Sequence, residues 1–170
     1  MKTQNLQIDL LEEREVQSNI RLFAENVYAG DQKQAEEHFD ADLNGPSSTF
    51  MAKLENEFAG FITIRWEPHN EDFRQNNIPF IQHLEVKPEF QGQGIATHLM
   101  DAAEALIKTK ATHAGTCVGI FGNYGPAQRL YAKRGYIPDG RGLCQWHRPV
   151  QEGESVIIDH DLVLWLVKKL

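Results

Sequence analysis

A strand that runs into a glycine-bearing turn and then straight into a helix constrains this chain more than any other feature. It reads Leu84-Glu85-Val86-Lys87-Pro88-Glu89-Phe90-Gln91-Gly92-Gln93-Gly94-Ile95-Ala96. Pro88 stops the strand, because proline donates no ladder hydrogen bond. The first N–H groups of a helix have no partner inside it and lie at the positive end of its dipole. They therefore form an anion site. Gly92 and Gly94 let the main chain approach a pyrophosphate with no Cβ in the way. The donors are main-chain groups, so no lysine is required.

Three phosphate-binding patterns compete for this stretch. A P-loop needs G-x-x-x-x-G-K-[ST], which is absent. A dinucleotide-binding turn needs G-x-G-x-x-G. Here Gly92-Gln93-Gly94-Ile95-Ala96 is followed by Thr97, and the unit lies mid-chain after several strands. The third pattern, [QR]-x-x-G-x-[GA], is met by Gln91, Gly94 and Ala96, with V-x-P before it at Val86 and Pro88. A turn that merely joins strand to helix is the plain alternative.

The flanking pattern is that of alternating strands and helices. Leu6 to Leu10 reads as a first strand. Val16, Ile20, Phe23 and Val27 recur at helical spacing between Glu12 and Tyr28. Gly30 stops that helix, and Asp31 caps a second through Phe39. Asn44 to Ser48 is a loop. Thr49 to Leu54 and Phe58 to Trp66 are paired strands around a turn at Glu55-Asn56-Glu57. Glu67 to Asn77 is polar and reads as a loop. Phe80 to Val86 is the next strand. Gly94 to Lys108 is a helix with Ile95, Leu99, Ala102, Leu106 and Ile107 on one face. Thr116 to Phe121 follows through that helix, so the two strands should be parallel. Gly125-Pro126 opens another helix, which Gly135 closes. Tyr136-Ile137 starts a strand, Pro138 to Gly153 is a long excursion, and Val156 to Ile158 and Leu162 to Val167 are final strands.

Composition narrows the function. The 170 residues suit one compact domain over 1–170, and 41% hydrophobic residues supply a core. The 24 acidic residues outnumber the 17 basic ones, for a net charge of −7. A nucleic-acid partner is not expected, because phosphates call for clustered Lys and Arg. The balance suits a cationic or amine partner. Cys117 and Cys144 form no C-x-x-C and read as reduced thiols. Met1 to Asn5 lacks the start of a signal peptide. Leu162 to Val167 is far too short to span a bilayer, so no membrane partner is expected and the cytoplasm is the expected location.

A second constellation sits downstream. Asn123 is followed by Ala127, by Leu130-Tyr131 and by Gly135-Tyr136. This resembles the N-x-x-x-A-x-x-L-Y-x-x-x-G-[FY] signature of GNAT superfamily N-acetyltransferases, at the usual distance after the first motif. The resemblance is motif-level from Leu84 to Tyr136 and architectural elsewhere. It implies an α/β, more narrowly α+β, fold: a central mixed, mostly antiparallel sheet with one splayed parallel pair, flanked by helices. It implies acetyl-CoA as cosubstrate, bound in the gap of the splayed pair. Main chain near Leu84 and Val86 would bind the pantetheine arm, and Gln91, Gly92, Gln93, Gly94, Ile95 and Ala96 the pyrophosphate. Asn123 would contact the cofactor, Ala127 would permit its close approach, and Tyr131 would protonate the departing thiolate. The implied reaction is direct attack of a primary amine, on a small molecule or a peptide, in a ternary complex. Homodimers are common in the superfamily, and nothing in the sequence fixes the oligomer.

The base is less plainly written. Some family members carry a glutamate near the start of the strand that here begins at Phe80. Others carry one on the strand that here reads Cys117 to Phe121. Neither stretch has an acid at that place. Glu85 and His83 are the nearest ionisable groups, and alternation places them on one face. Glu85 is taken as the base, with Asp159, His160 and Asp161 as a second source. A module that holds acyl-CoA as a sensor without turnover is the rival reading. His83-Leu84-Glu85 has the H-x-E of zinc deaminases, but no P-C-x-x-C follows. There is no H-E-x-x-H, and no metal is expected. Cys117 reads as a small buried hydrophobe.

Overall fold

The computed structural model describes residues 5–11, 20–27, 30–33, 35–36 and 46–170. Its strands are β1 (Leu6–Leu11), β2 (Ser47–Leu54), β3 (Glu57–Arg65), β4 (Phe80–Val86), β5 (His113–Gly119), β6 (Ile137–Gln145), β7 (Arg148–Pro149) and β8 (Leu162–Lys169). They form one sheet in the order β1-β2-β3-β4-β5-β8-β6-β7. Among the described residues, β4 and β5 are the one parallel pair; the other neighbours are antiparallel. The helices are α1 (Ile20–Val27), α2 (Glu71–Gln75), α3 (Ile95–Lys108) and α4 (Gly125–Lys133). This is the mixed α+β architecture that the sequence implies.

Local chemistry sets the connections. Glu55 and Asn56 both take positive φ, 53° and 68°, which is what a tight hairpin between right-twisted strands requires. Gly94 caps α3 in the left-handed region (φ 84°), and Gly135 (φ 86°) ends α4. Core side chains lie on both faces of the sheet. On one, Ile62, Ile64 and Ile81 pack with Ile95, Leu99, Met100 and Ala103 of α3 and with Tyr131 of α4. On the other, Phe73, Phe80, Cys144, Val163 and Trp165 form a smaller cluster.

The fold departs from the sequence reading in five places. The polar stretch from Glu67 contains α2, capped by Asn70, whose Oδ1 accepts the Phe73 N–H at 3.2 Å. Burial of the Phe73 ring against Phe80 and Trp165 anchors that turn. The excursion from Pro138 is instead β6 and β7. Gly140 (φ 99°) and Gly142 (φ 72°) absorb a register shift between Pro138 and Leu143, so glycine marks an irregular strand there. Val156 to Ile158 is not a strand. The buried stripe of α3 centres on Met100 and Ala103, and Ala102 and Leu106 sit at its edge. β5 begins at His113 and ends at Gly119, three and two residues earlier than expected. The helix expected from Glu12 is seen as α1, with residues 12–19 outside the described residues. Of the helix expected from Asp31 to Phe39, residues 34 and 37–39 also lie outside them.

Candidate active site

β4 and β5 meet at one register pair, Phe80 with Gly115. The Gly115 N–H donates to Pro79 O at 2.9 Å, and Thr116 Oγ1 donates to Ile81 O at 3.0 Å. Beyond this clasp no ladder pair joins the strands, and a cavity of about 360 Å³ lies between them. A second cavity of about 610 Å³ continues it over the turn after β4 to the start of α3. Leu84, Glu85, Asn123 and Ala127 line both, so the two make one groove.

The turn is pinned by its own side chains. Gln91 Nε2 donates to Val86 O at 3.1 Å, Gln93 Nε2 to Glu89 O at 3.3 Å, and Lys87 pairs with Glu89 at 2.8 Å. His98 closes the first helical bond, onto Gly94 O at 3.2 Å. The N–H groups of Ile95, Ala96 and Thr97 therefore lack an intrahelical acceptor at the positive end of a 14-residue helix. Gly92 (φ 74°) and Gly94 have open space where a Cβ would stand. Val86, Gln91, Gly92, Gly94, Ile95 and Ala96 all line this end of the groove. Gln93 does not; its side chain folds back onto Glu89.

A β-bulge sets the position of Glu85. Gln82 pairs with Thr63, yet Glu85 pairs with Phe61, so two residues of β4, His83 and Leu84, stand opposite Ile62. His83 takes φ 55° there. The extra residue breaks the alternation that would place His83 and Glu85 on one face. Glu85 shares a face with Gln82 and Phe80 instead, because directly paired residues of an antiparallel ladder point the same way. Its side chain opens to the groove but is crowded by the walls. That desolvation raises its carboxyl above the ordinary value, and the nearby His83 opposes the shift.

Tyr131 reaches the same cavity from the other face of the sheet. Its ring is buried against Tyr136, with centroids 5.7 Å apart in a T-shaped contact. Burial pushes its phenol up to about 12, and a hydrogen bond with Thr116 opposes the shift. The gap between β4 and β5 thus brings Tyr131 and Glu85, from opposite faces, to one cavity. Cys117 lines it too, but burial pushes its thiol up to about 12. It stays a neutral thiol and a poor nucleophile.

The sequence reading passed over Tyr124. Its ring lies against Gly119, where a Cβ would come within 2.3 Å of it. Its hydroxyl is 2.8 Å from His160 Nδ1, and both rings contact Phe121. Burial raises its phenol, and Cys117, Glu85 and Asp161 add to the shift. A tyrosine directly after Asn123 was the available signal. Among the aromatic side chains outside the two sequence motifs, Trp146 also lines the cavity. Trp66 does not; it donates to Ser48 Oγ at 3.0 Å, and Lys110 lies over its ring. His147 stacks on Trp165. Tyr28 and the Phe23 side chain lie outside the described residues. Among the described residues, no three His, Cys, Asp or Glu side chains gather as a metal site, and no helix is long and apolar enough to cross a membrane.

The family model described as acetyltransferase (GNAT) family matches residues 12–136. No curated protein matches the chain. Solved structures do. A GNAT family acetyltransferase from Elizabethkingia anophelis with acetyl-CoA bound is 19% identical over 98% of this chain and 99% of its own, with a TM-score of 0.64. The spermidine/spermine N-acetyltransferase SpeG from Vibrio cholerae, in complex with manganese ions, is 14% identical over 98% and 94%, with a TM-score of 0.65. An aminoglycoside 6'-acetyltransferase type Ii is 13% identical over 96% of each chain, with a TM-score of 0.65. At these identities the likeness is one of fold.

Proposed function

The chain belongs to the acetyltransferase (GNAT) family, and from that premise we propose that it transfers the acetyl group of acetyl-CoA to a primary amine, as one domain over residues 1–170. The observation that carries this reading is the single clasp between β4 and β5, beyond which a groove runs from the start of α3 to Glu85 and Tyr131.

The groove suits the cofactor by its own chemistry. The free N–H groups of Ile95, Ala96 and Thr97 offer hydrogen bonds to a pyrophosphate. The bare Cα atoms of Gly92 and Gly94 leave it room. Leu84, Val86, Asn123 and Ala127 line the path along which a pantetheine arm would run. When bound, acetyl-CoA supplies an acetyl group activated as a thioester, whose thiol has a pKa of ~8.5.

The protein supplies the rest. Glu85 takes a proton from the acceptor's ammonium, and its raised pKa brings it closer to the amine it must deprotonate. Main-chain groups of β4 from His83 to Val86, released from β5, offer hydrogen bonds where negative charge develops. Tyr131 keeps its proton throughout the neutral range and holds it inside the cavity. The acceptor is a small amine or a peptide amine rather than a nucleic acid, in line with the surplus of 24 acidic over 17 basic residues. The names of the polyamine and aminoglycoside enzymes of like fold support an amine acceptor.

The test is initial velocity with acetyl-CoA and amine both varied. Direct attack in a ternary complex gives intersecting double-reciprocal lines. Parallel lines, from an acetylated enzyme, would contradict it.

A further inference from the structure

The cavity between β4 and β5 has a second wall that the transfer itself does not use. Trp146 stands at the tip of the β6–β7 hairpin in the left-handed region, at φ 53°. Its N–H donates to Asp161 O at 2.6 Å, and its carbonyl accepts the Trp165 Nε1–H at 2.7 Å. Its indole packs on Trp165 and His147, with centroids 5.4 Å and 4.9 Å away. The residue is held on several sides and is still 40% exposed. It lines the cavity that holds Glu85, Tyr124 and Tyr131. A fixed, half-exposed aromatic ring in a cavity is a binding wall.

The charges around this wall decide what it binds. Among the described residues no Lys or Arg lines the cavity, while Glu85 does. The Trp146 main-chain N–H is bonded to the Asp161 main-chain carbonyl, which ties the hairpin tip to the bend before β8. Asp159 is tied to the same bend through Gln145 Nε2, at 3.4 Å. An aromatic face in a cavity that also holds the Glu85 carboxylate, with no Lys or Arg lining it among the described residues, attracts a cation.

We propose that Trp146 binds a second ammonium of the acceptor, so that the substrate is a diamine or a longer polyamine. One nitrogen is presented to Glu85 and acetylated, and the other rests on the indole. This rests on the acetyltransferase reading above and narrows its substrate class.

The experiment compares putrescine with n-butylamine, which have the same carbon chain but differ by one ammonium. The wild type, Trp146→Leu and Trp146→Phe are assayed by CoA release. The wild type prefers putrescine in kcat/KM. That preference falls about tenfold in Trp146→Leu, which keeps an apolar side chain, and survives in Trp146→Phe, which keeps a π face. A thermal shift with acetyl-CoA in all three proteins confirms that the variants are folded. An equal preference in the wild type, or a ratio unchanged in Trp146→Leu, overturns the proposal while leaving amine acetylation intact. No release with either amine, but release with an aminoglycoside, amino acid or short peptide, overturns this proposal alone. No release with any of these amines, despite a thermal shift, overturns the acetyltransferase reading and this proposal with it.

Discussion

Glu85 lies directly opposite Phe61, where an unbroken ladder running on from the Phe80–Arg65 pair would place Leu84. That one-residue slip turns the Glu85 carboxylate to the face of Phe80 and Trp165, away from Tyr131. Glu85 and Tyr131 therefore enter the gap from opposite sides. Glu85→Gln should lower kcat/KM by about 10²- to 10⁴-fold. Burial raises the Glu85 carboxyl, so activity should fall on the acid side at a higher pH than a free carboxylate would give. That limb should vanish in Glu85→Gln, as a pH–rate profile would show. An unchanged limb would assign the base to another group. The same shift bears on stability. The folded state holds this proton more tightly than the unfolded chain, so Glu85 costs stability as pH rises from the ordinary carboxylate range through its raised value.

Tyr131 gives a different signature. Its phenol is pushed up to about 12, so it loses no proton below the alkaline extreme. Tyr131→Phe should lower kcat by about 10²-fold by the same factor throughout the neutral and mildly alkaline range. Binding of acetyl-CoA should be retained. A loss confined to one end of the pH profile, or no loss, would return Tyr131 to its packing role against Tyr136.

The turn before α3 is tested through Gly94. At 100 times its Kd, acetyl-CoA should stabilise the fold by about 2.7 kcal/mol, read as a rise in Tm. Gly94→Trp should remove that rise, because an indole would fill the open space over the free N–H groups. A full rise in a folded Gly94→Trp protein would place the cofactor elsewhere.

Gly60 tests the bulge as a piece of structure. A Cβ there would stand 2.3 Å from Glu85 O and 3.1 Å from Val86 Cα, both main-chain atoms of β4. Backbone yields far less readily than a flexible side chain, so Gly60→Ala should destabilise by about 1–3 kcal/mol in denaturant unfolding. Activity should fall with it, because the strain is applied at Glu85. A variant as stable as the wild type would show that β3 and β4 part easily.

The sequence carried the elements that local chemistry specifies. β4 keeps the bounds read from Phe80 to Val86, and α3 begins directly after the glycine turn that marks it. It could not carry the bulge, because a register shift is a property of two strands, and nothing in His83-Leu84-Glu85 alone says that Ile62 faces two residues. The same limit hid β6, where Gly140 and Gly142 signal a loop until pairing with β8 holds them in the sheet. α2 was hidden in a polar stretch, since its one anchor, Phe73, gains its meaning from Phe80 and Trp165. Tyr124 and His160, 36 residues apart, meet only in the fold.

The central claim is that the groove turns over acetyl-CoA against an amine. The most direct measurement is thiol release from acetyl-CoA with and without a primary amine, at equal enzyme, with the product identified by mass. Amine-dependent release of one CoA per acetylated amine is the predicted result. Tight binding of acetyl-CoA with no amine-dependent release across polyamines, aminoglycosides, amino acids and short peptides would contradict it, and would make the protein an acyl-CoA sensor.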